Sequence, residues 1–214
     1  MPHPRVRPRT LMLLLALLAL YGCSLTGRKA EPVETYVLET SETAAASNAP
    51  AAAPILRIST PTSVPEYATA RMAYVEVPYR IDYFAQHAWA DTPARMLKPL
   101  LTRQLTNSGL FHYVFSESTG VEETLRLDST IVEFAQFFSE TSSEVRVSIR
   151  FDLIDVVHRR MLVSQTIAIT EPAAEREPYA GVVAANRAVQ RALDQLVTVV
   201  KEPVAGLDDR APRT

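Results

Sequence analysis

The sequence is poor in the residues on which catalytic and metal-binding motifs depend. It contains one Cys and four His in 214 residues, which excludes an intramolecular disulfide and a multi-cysteine metal site. Its six Gly form no GxGxxG or GxxxxGK[ST] pattern, so the common phosphate-binding loops are excluded. No Ser lies in a GxSxG elbow. We therefore predict a non-enzymatic protein without a cofactor or metal, although a Ser/His/Asp site assembled from distant residues stays open.

The chain also lacks a charge excess and a long hydrophobic run. It has 22 Lys and Arg against 24 Asp and Glu, a formal net charge of −2. Nucleic-acid binders usually carry a basic excess, so no nucleic-acid partner is expected. Leu11 to Leu20 are ten consecutive apolar residues. As a helix they would cover roughly 15 Å, about half of a bilayer core, which disfavours a transmembrane helix.

The N-terminus has the organisation of a secretory signal. A basic segment precedes the apolar run, and small Gly22 precedes Cys23, the sole cysteine. The basic residues are Arg5, Arg7 and Arg9. The site resembles the bacterial lipobox: Leu20, Gly22 and Cys23 match it, while Tyr21 is bulkier than usual at its position. Residues 1–22 are thus predicted to be a lipoprotein signal peptide. The alternative is a plain secreted protein with an unmodified Cys.

The lipobox resemblance implies a membrane anchor on Cys23. The anchor would be a diacylglycerol on the thiol and an amide-linked acyl chain such as palmitate on the new N-terminus. More than one acyl chain suffices for lasting attachment. Ser24 follows; in the enterobacterial sorting rule an Asp there retains a lipoprotein in the inner membrane. Ser24 therefore implies the periplasmic face of the outer membrane of a Gram-negative bacterium.

Removal of the signal changes the charge and leaves a chain with distinct segments. The remaining 192 residues carry 19 basic and 24 acidic side chains, a net charge of −5. Residues 23–54 are predicted to be a lipidated tether and flexible linker with a short strand near 36–38. A folded domain is predicted over residues 55–202, followed by a flexible tail over 203–214.

Hydrophobic periodicity predicts strands, a helix, more strands and a final helix. Residues 145–153 alternate apolar and polar without interruption, as a half-buried strand does. Thr92 and Pro93 suit the start of the first helix, but Pro99 requires either a kink or a separate first turn. The second helix is predicted over residues 179–200. We expect one α+β domain with a largely antiparallel sheet and two main helices packed on one face.

The predicted strand over residues 81–89 carries aromatic side chains on both faces. Strict alternation places Tyr83 and Trp89, together with His87, on one face and Phe84 on the other. Helices cover only one face of such a sheet. The surplus aromatic face is therefore either a further layer of the core, the favoured interpretation, or a partner-binding surface. Tyr83, Phe84 and Trp89 are the candidate partner-binding residues.

An ordered set of motifs resembles the ABC-type transport auxiliary lipoprotein component family. The motifs include a Y-x-L near the mature start, a tyrosine-rich strand running into Trp and Pro, and a leucine-rich helix ending in Gly before F-x-x-V. The matching residues here are Tyr36, Leu38, Tyr83, Trp89, Pro93, Leu97, Leu101, Leu105, Gly109, Phe111 and Val114.

The resemblance implies a non-enzymatic periplasmic lipoprotein. Its partner would be an MCE-domain substrate-binding protein and, through it, an ABC permease and ATPase that move lipids or other hydrophobic molecules; some members form oligomers, so a homo-oligomer stays open. One alternative is a structural or assembly lipoprotein of another envelope complex. Another is a direct lipid carrier, which needs an enclosed apolar cavity.

Overall fold

The structure is a computed structural model that describes residues 32–40, 49–117 and 120–208. Within these residues, nine strands form one sheet with two α-helices. The strands are β1 (Glu34–Tyr36), β2 (Ile55–Ile58), β3 (Thr62–Ser63), β4 (Arg71–Val75), β5 (Asp82–Trp89), β6 (Tyr113–Phe115), β7 (Leu125–Phe138), β8 (Ser143–Asp155) and β9 (Arg160–Ala173); the helices are α1 (Pro93–Asn107) and α2 (Pro178–Asp208). The predicted signal peptide, residues 41–48 and residues 209–214 lie outside the described residues.

The sheet is organised around β7, which pairs along both of its edges. On one edge, β7, β8 and β9 form a long antiparallel meander. On the other edge, the short strands β2, β3 and β4 follow one another along β7, each parallel to it. β5 and β1 extend the sheet beyond β4, and β6 lies beside β2. The predicted α+β class is confirmed: the long ladders are antiparallel, and short parallel pairings make the sheet mixed.

The meander follows the alternation of its sequence. The apolar residues of β8 from Val145 to Leu153 are buried, while Arg146 and Arg150 face solvent. On the outward face, Glu144 pairs with Arg146 and Arg150 with Asp152 along the same strand. These exposed ion pairs contribute little stability. Because this face is polar, the hydrophobic core forms on the opposite face of the sheet.

Both helices pack on that opposite face. α1 buries a leucine stripe that includes Leu97, Leu101 and Leu105. The carboxylate of Glu171 on β9 forms ion pairs with Arg187 and Arg191 of α2, and it also accepts a hydrogen bond from Arg191. The helices also contact each other, since the amide Nε2 of Gln104 donates to Oδ1 of Asp194 at 2.9 Å. The predicted helical layer on one face is confirmed. Among the described residues, no helix is long and apolar enough to cross a bilayer.

The first helix is continuous through its internal proline. The hydroxyl of Thr92 accepts a hydrogen bond from the Arg95 amide at 3.4 Å, and Pro93 occupies the first turn, as predicted. The helix continues past Pro99 to Asn107, so no separate first turn precedes it. Gly109 follows with a φ of 67°, a conformation that glycine adopts at helix ends.

Two boundaries differ from the predicted ones. The N-terminal strand lies at Glu34–Tyr36 instead of 36–38, and Thr40, predicted as linker, is buried where Arg103 Nη2 donates to its hydroxyl at 2.6 Å. At the other terminus, α2 continues through Pro203 to Asp208, so the first six residues of the predicted tail are helical. Val204 is buried, and this burial explains why the helix does not stop at Pro203.

A close approach between α2 and β7 requires a glycine. A Cβ added at Gly181 would overlap the side-chain oxygen of Gln136. The Gln136 side chain is flexible in principle, but here it is buried and its Nε2 donates to Ser143 Oγ at 3.0 Å and to the Glu177 carbonyl at 3.1 Å. Movement of Gln136 would break these bonds. The helix therefore sits against the sheet at a distance that only glycine permits.

We expect Gly181→Ala to lower the free energy of unfolding by about 1–3 kcal/mol, the usual range for overpacking. Gly206→Ala is the matched control, because a Cβ there meets nothing within 4 Å and Ala favours a helix. Urea denaturation monitored by circular dichroism measures both. Equal stability of the two variants would contradict the close-packing argument, and Gln136→Ala should restore part of the loss.

Candidate partner-binding surface

The candidate residues lie on β5, whose pairing with β4 is irregular. Arg71 pairs with Ala88, whereas Ala73 pairs with Tyr83, so β5 contains extra residues between the two pairs. Such a bulge changes which face each side chain occupies. Phe84 and His87, predicted on opposite faces, therefore have ring centroids only 5.9 Å apart. The prediction that His87 and Phe84 lie on opposite faces is wrong for this reason.

Trp89 belongs to the core. Its side chain is 5% exposed, and its ring meets the edge of Phe134 at a centroid distance of 5.5 Å. Its backbone amide donates to the Ala70 carbonyl at 2.7 Å. Trp89 thus fits the favoured core interpretation of the aromatic strand, and in this conformation its ring is not a surface contact.

Tyr83 and Phe84 are both half-buried but have different surroundings. The hydroxyl of Tyr83 donates to the Glu66 carbonyl at 3.0 Å, and the Arg71 guanidinium lies 4.1 Å from the Tyr83 ring centroid. Phe84 instead packs against Tyr74, at a centroid distance of 4.5 Å. The three candidate residues therefore do not form one surface.

Phe84 is part of a larger aromatic cluster that no single sequence segment reveals. We define the aromatic cluster as Tyr36, Tyr74, Phe84, His87, Phe138 and Tyr179, which touch one another in a chain of ring contacts. Its members come from β1, β4, β5, β7 and α2. Only knowledge of the strand pairing could have brought them together. Arg176 borders the cluster, with its guanidinium 5.6 Å from the Phe138 ring centroid.

The hydroxyl of Tyr36 is a polar group within the aromatic cluster. Burial raises the pKa of Tyr36 to about 12, and the hydrogen bond and charge of Glu34 add to the effect. The Tyr36 hydroxyl donates to Glu34 and lies 3.2 Å from Nδ1 of His87. Tyr36 therefore remains protonated at physiological pH and acts as a hydrogen-bond donor. The cluster offers an amphipathic contact area.

Comparison with known proteins decides the family. The model of the ABC-type transport auxiliary lipoprotein component family matches residues 36–197. The chain belongs to this family. A crystal structure of a protein from Xanthomonas campestris has a similar fold, with a TM-score of 0.70 and 14% identity over 85% of this chain and 100% of that chain. A hypothetical protein from Chlamydia trachomatis gives 0.50 and 10%, over 72% and 99%. No curated protein matches.

In this auxiliary lipoprotein, a group of charged residues lies at the end of the sheet opposite the aromatic cluster. The carboxylate of Asp155 is buried and accepts hydrogen bonds from the His158 backbone amide at 3.0 Å and from Arg160 Nε at 3.0 Å, with His158 Nδ1 at 2.8 Å. Arg159 between them has a φ of 53°. The group closes the β8–β9 turn. Among the described residues, no three His, Cys, Asp or Glu are placed to hold a metal ion.

A surface groove, which we call the distal groove, lies beside this turn. It has a volume of about 730 Å³, and its lining includes Ala53, Val157 and Leu207. Asp155 forms part of its wall. Burial alone would raise the pKa of Asp155, but the hydrogen bonds from His158 and Arg160 outweigh it and lower that pKa. Asp155 is therefore ionised at neutral pH and serves as the acceptor that holds the turn.

We expect Asp155→Asn to lower the free energy of unfolding by about 1–3 kcal/mol at pH 7, because it weakens hydrogen bonds to a buried carboxylate. The folded-state pKa of Asp155 is depressed, so its contribution is present above the ordinary value of about 4 and is lost as the pH falls through the folded value. The difference in melting temperature between wild type and variant should shrink below pH 4. An unchanged difference there would contradict the assignment. Asp128→Asn, in a half-exposed pair with Arg126, should change stability little.

Proposed function

We propose that the protein is a lipid-anchored, non-catalytic component of an ABC transport system that moves lipids or other hydrophobic molecules through the cell envelope. Its partner would be an MCE-domain substrate-binding protein and, through it, the ABC permease and ATPase. The observation that carries the proposal is the family match over residues 36–197. The lipobox-like position of Cys23, the only cysteine, supports it from outside the described residues.

The buried carboxylates are paired with arginine side chains, and this pairing supports a binding role over catalysis. Asp155 holds the β8–β9 turn through Arg160, and Glu171 joins β9 to α2 through Arg187 and Arg191. Buried carboxylates of this kind are balanced by fixed cations. Such carboxylates serve packing and are poorly suited to proton transfer.

The aromatic cluster is the proposed contact area for the partner. Phe84 is half-buried and Tyr179 is exposed, while Arg176 adds a cation beside Phe138. Aromatic residues and Arg are enriched in protein interfaces. We therefore assign the partner contact to Phe84 and its neighbours, with Tyr83 at the margin and Trp89 supporting the strand from the core.

The two alternative functions require different partners or ligands. A structural or assembly lipoprotein of another envelope complex would bind partners without an ABC transporter among them. A direct lipid carrier would retain lipid, and the apolar residues of the distal groove, such as Val157 and Leu207, are the feature that favours testing it. Native mass spectrometry after gentle extraction measures bound lipid, and its absence would count against the carrier.

We expect Cys23→Ala to release the protein from the membrane fraction and to abolish incorporation of labelled palmitate, because no thiol remains to accept diacylglycerol. Ser24→Asp is the matched variant: it keeps the lipid but should move the protein from outer-membrane to inner-membrane fractions on a density gradient. Retention of the Cys23→Ala protein in membranes would contradict the anchor. An unchanged position of the Ser24→Asp protein would contradict the sorting interpretation alone.

We expect Phe84→Asp to abolish co-purification of the MCE-domain protein with the detergent-solubilised lipoprotein, because it places a charge in the contact area while the fold persists. Val132→Asp is the control, since Val132 is 42% exposed on β7, away from the cluster. Circular dichroism checks folding, and mass spectrometry identifies the partners. Unfolding of the Phe84→Asp variant would show that Phe84 is a core residue. A set of partners without an ABC system would favour the assembly alternative.

A further inference from the structure

The turn between β4 and β5 presents an exposed aromatic residue in a strained conformation. Arg80 donates its amide to the Val77 carbonyl at 3.1 Å, which closes a β-turn with Pro78 and Tyr79 at its centre. Tyr79 has a φ of 68°. Turns with a positive φ at the second central position normally have Gly or Asn there. Tyr79 is also fully exposed, so burial of its ring does not offset the strain.

Strain of this kind points to a function outside the folded body. Residues held in the left-handed region cluster at functional sites, where surroundings or partners compensate for them. Val77, the first residue of the turn, is exposed as well. We call Val77, Pro78 and Tyr79 the turn tip. It is a compact apolar and aromatic projection with little role in packing the core.

The N-terminal strand runs parallel to β5, so its start is directed towards the end of β5 that follows the turn tip. β1 is parallel to β5, with Glu34 beside His87 and Tyr36 beside Trp89. Towards its N-terminus, the chain therefore leads along β5 towards Asp82 and the turn tip. Nine residues lie between Cys23 and Val33, and the stretch from Cys23 to Val33 spans at most roughly 35 Å. A lipidated Cys23 would therefore keep the body within this reach of the membrane.

The opposite end of the sheet carries the β8–β9 turn. Leu125, at the start of β7, pairs with Asp155 beside that turn, whereas Phe137, near the end of β7, pairs with Val75 just before the turn tip. β7 has 14 residues, so the two ends are roughly 45 Å apart. The exposed Val157 therefore marks the end that lies far from the turn tip.

Local ion pairs reduce the electrostatic obstacle to membrane contact. The mature chain is acidic, and anionic lipid would repel it. Near the turn tip, however, Arg80 lies 2.8 Å from Asp82, and Arg176 lies 3.9 Å from Glu76. The acids beside the tip are thus accompanied by cations. Tyr is a residue that prefers the membrane–water interface, where its ring is apolar and its hydroxyl is hydrated.

We propose that the turn tip inserts into the headgroup layer of the membrane that holds the Cys23 acyl chains. The contact would fix the orientation of the body, with the distal groove directed away from the membrane. This inference rests on the proposed lipid anchor. It assigns to Tyr79 a contact with a lipid surface, and it leaves the aromatic cluster on the flank of the sheet for the protein partner.

A single-thiol experiment tests the insertion. The full acylated chain with Tyr79→Cys, its only free thiol, is labelled with an environment-sensitive fluorophore in vesicles of phosphatidylethanolamine with a minor fraction of phosphatidylglycerol. Emission should shift to shorter wavelength and be quenched by lipids that carry a quencher. Val157→Cys, at a site that is 64% exposed, is the matched control and should show neither effect. Equal behaviour of the two labels, or a shift at position 79 without lipid quenching, would overturn the proposal; the latter result would indicate contact with protein.

A second variant separates membrane contact from folding. Tyr79→Gly relieves the positive φ, so the melting temperature should rise or stay constant. In the double variant Tyr79→Gly, Val157→Cys, the efficiencies of energy transfer from a label at position 157 to acceptor lipids should be more broadly distributed than in Val157→Cys alone. The reason is that the body is no longer held in one orientation. A lower melting temperature with unchanged energy transfer would make Tyr79 a structural residue. Absence of acylation at Cys23 by mass spectrometry would overturn anchor and insertion together, whereas acylation without quenching at position 79 would overturn the insertion alone.

Discussion

The pairing of both edges of β7 is the constraint on which the rest of the structure depends. β8 occupies one edge along its length, and β2, β3 and β4 share the other. Strands of two to five residues are not stable by themselves. The long strand supplies the backbone partners that these short strands need, because buried amides and carbonyls must be paired. β5, and with it the aromatic cluster, is attached to the sheet through β4.

One-sided burial then divides the molecule into surfaces with different properties. The helices cover one face, and α2 is joined to it by Glu171 and by the close contact at Gly181. The other face carries ion pairs along the strands, such as Arg150 with Asp152, and suits solvent. Partner contact is therefore proposed at the flank and at the ends of the sheet, where aromatic and apolar side chains remain exposed.

These surfaces are arranged along the direction of the sheet in a way that fits an anchored accessory protein. The turn tip lies at one end of the sheet, and the distal groove lies at the other end, beside Asp155. In the proposed orientation, the distal groove would face away from the membrane. The proposed protein contact at Phe84 and the proposed lipid contact at Tyr79 use different residues.

The sequence by itself determined features that depend only on residues close together in the chain. These are the alternation at residues 145–153, the helix cap at Thr92 and the single Cys23 beside an apolar run. The ordered motifs identified the family. The tertiary structure alone decided the parallel pairing of β2, β3 and β4 with β7, and the course of α2 beyond Pro203, which follows from burial of Val204. It also decided that Trp89 is a core residue and that Phe84 shares a face with His87. Periodicity cannot reveal these features, because they arise from a bulge and from contacts between residues far apart in the chain.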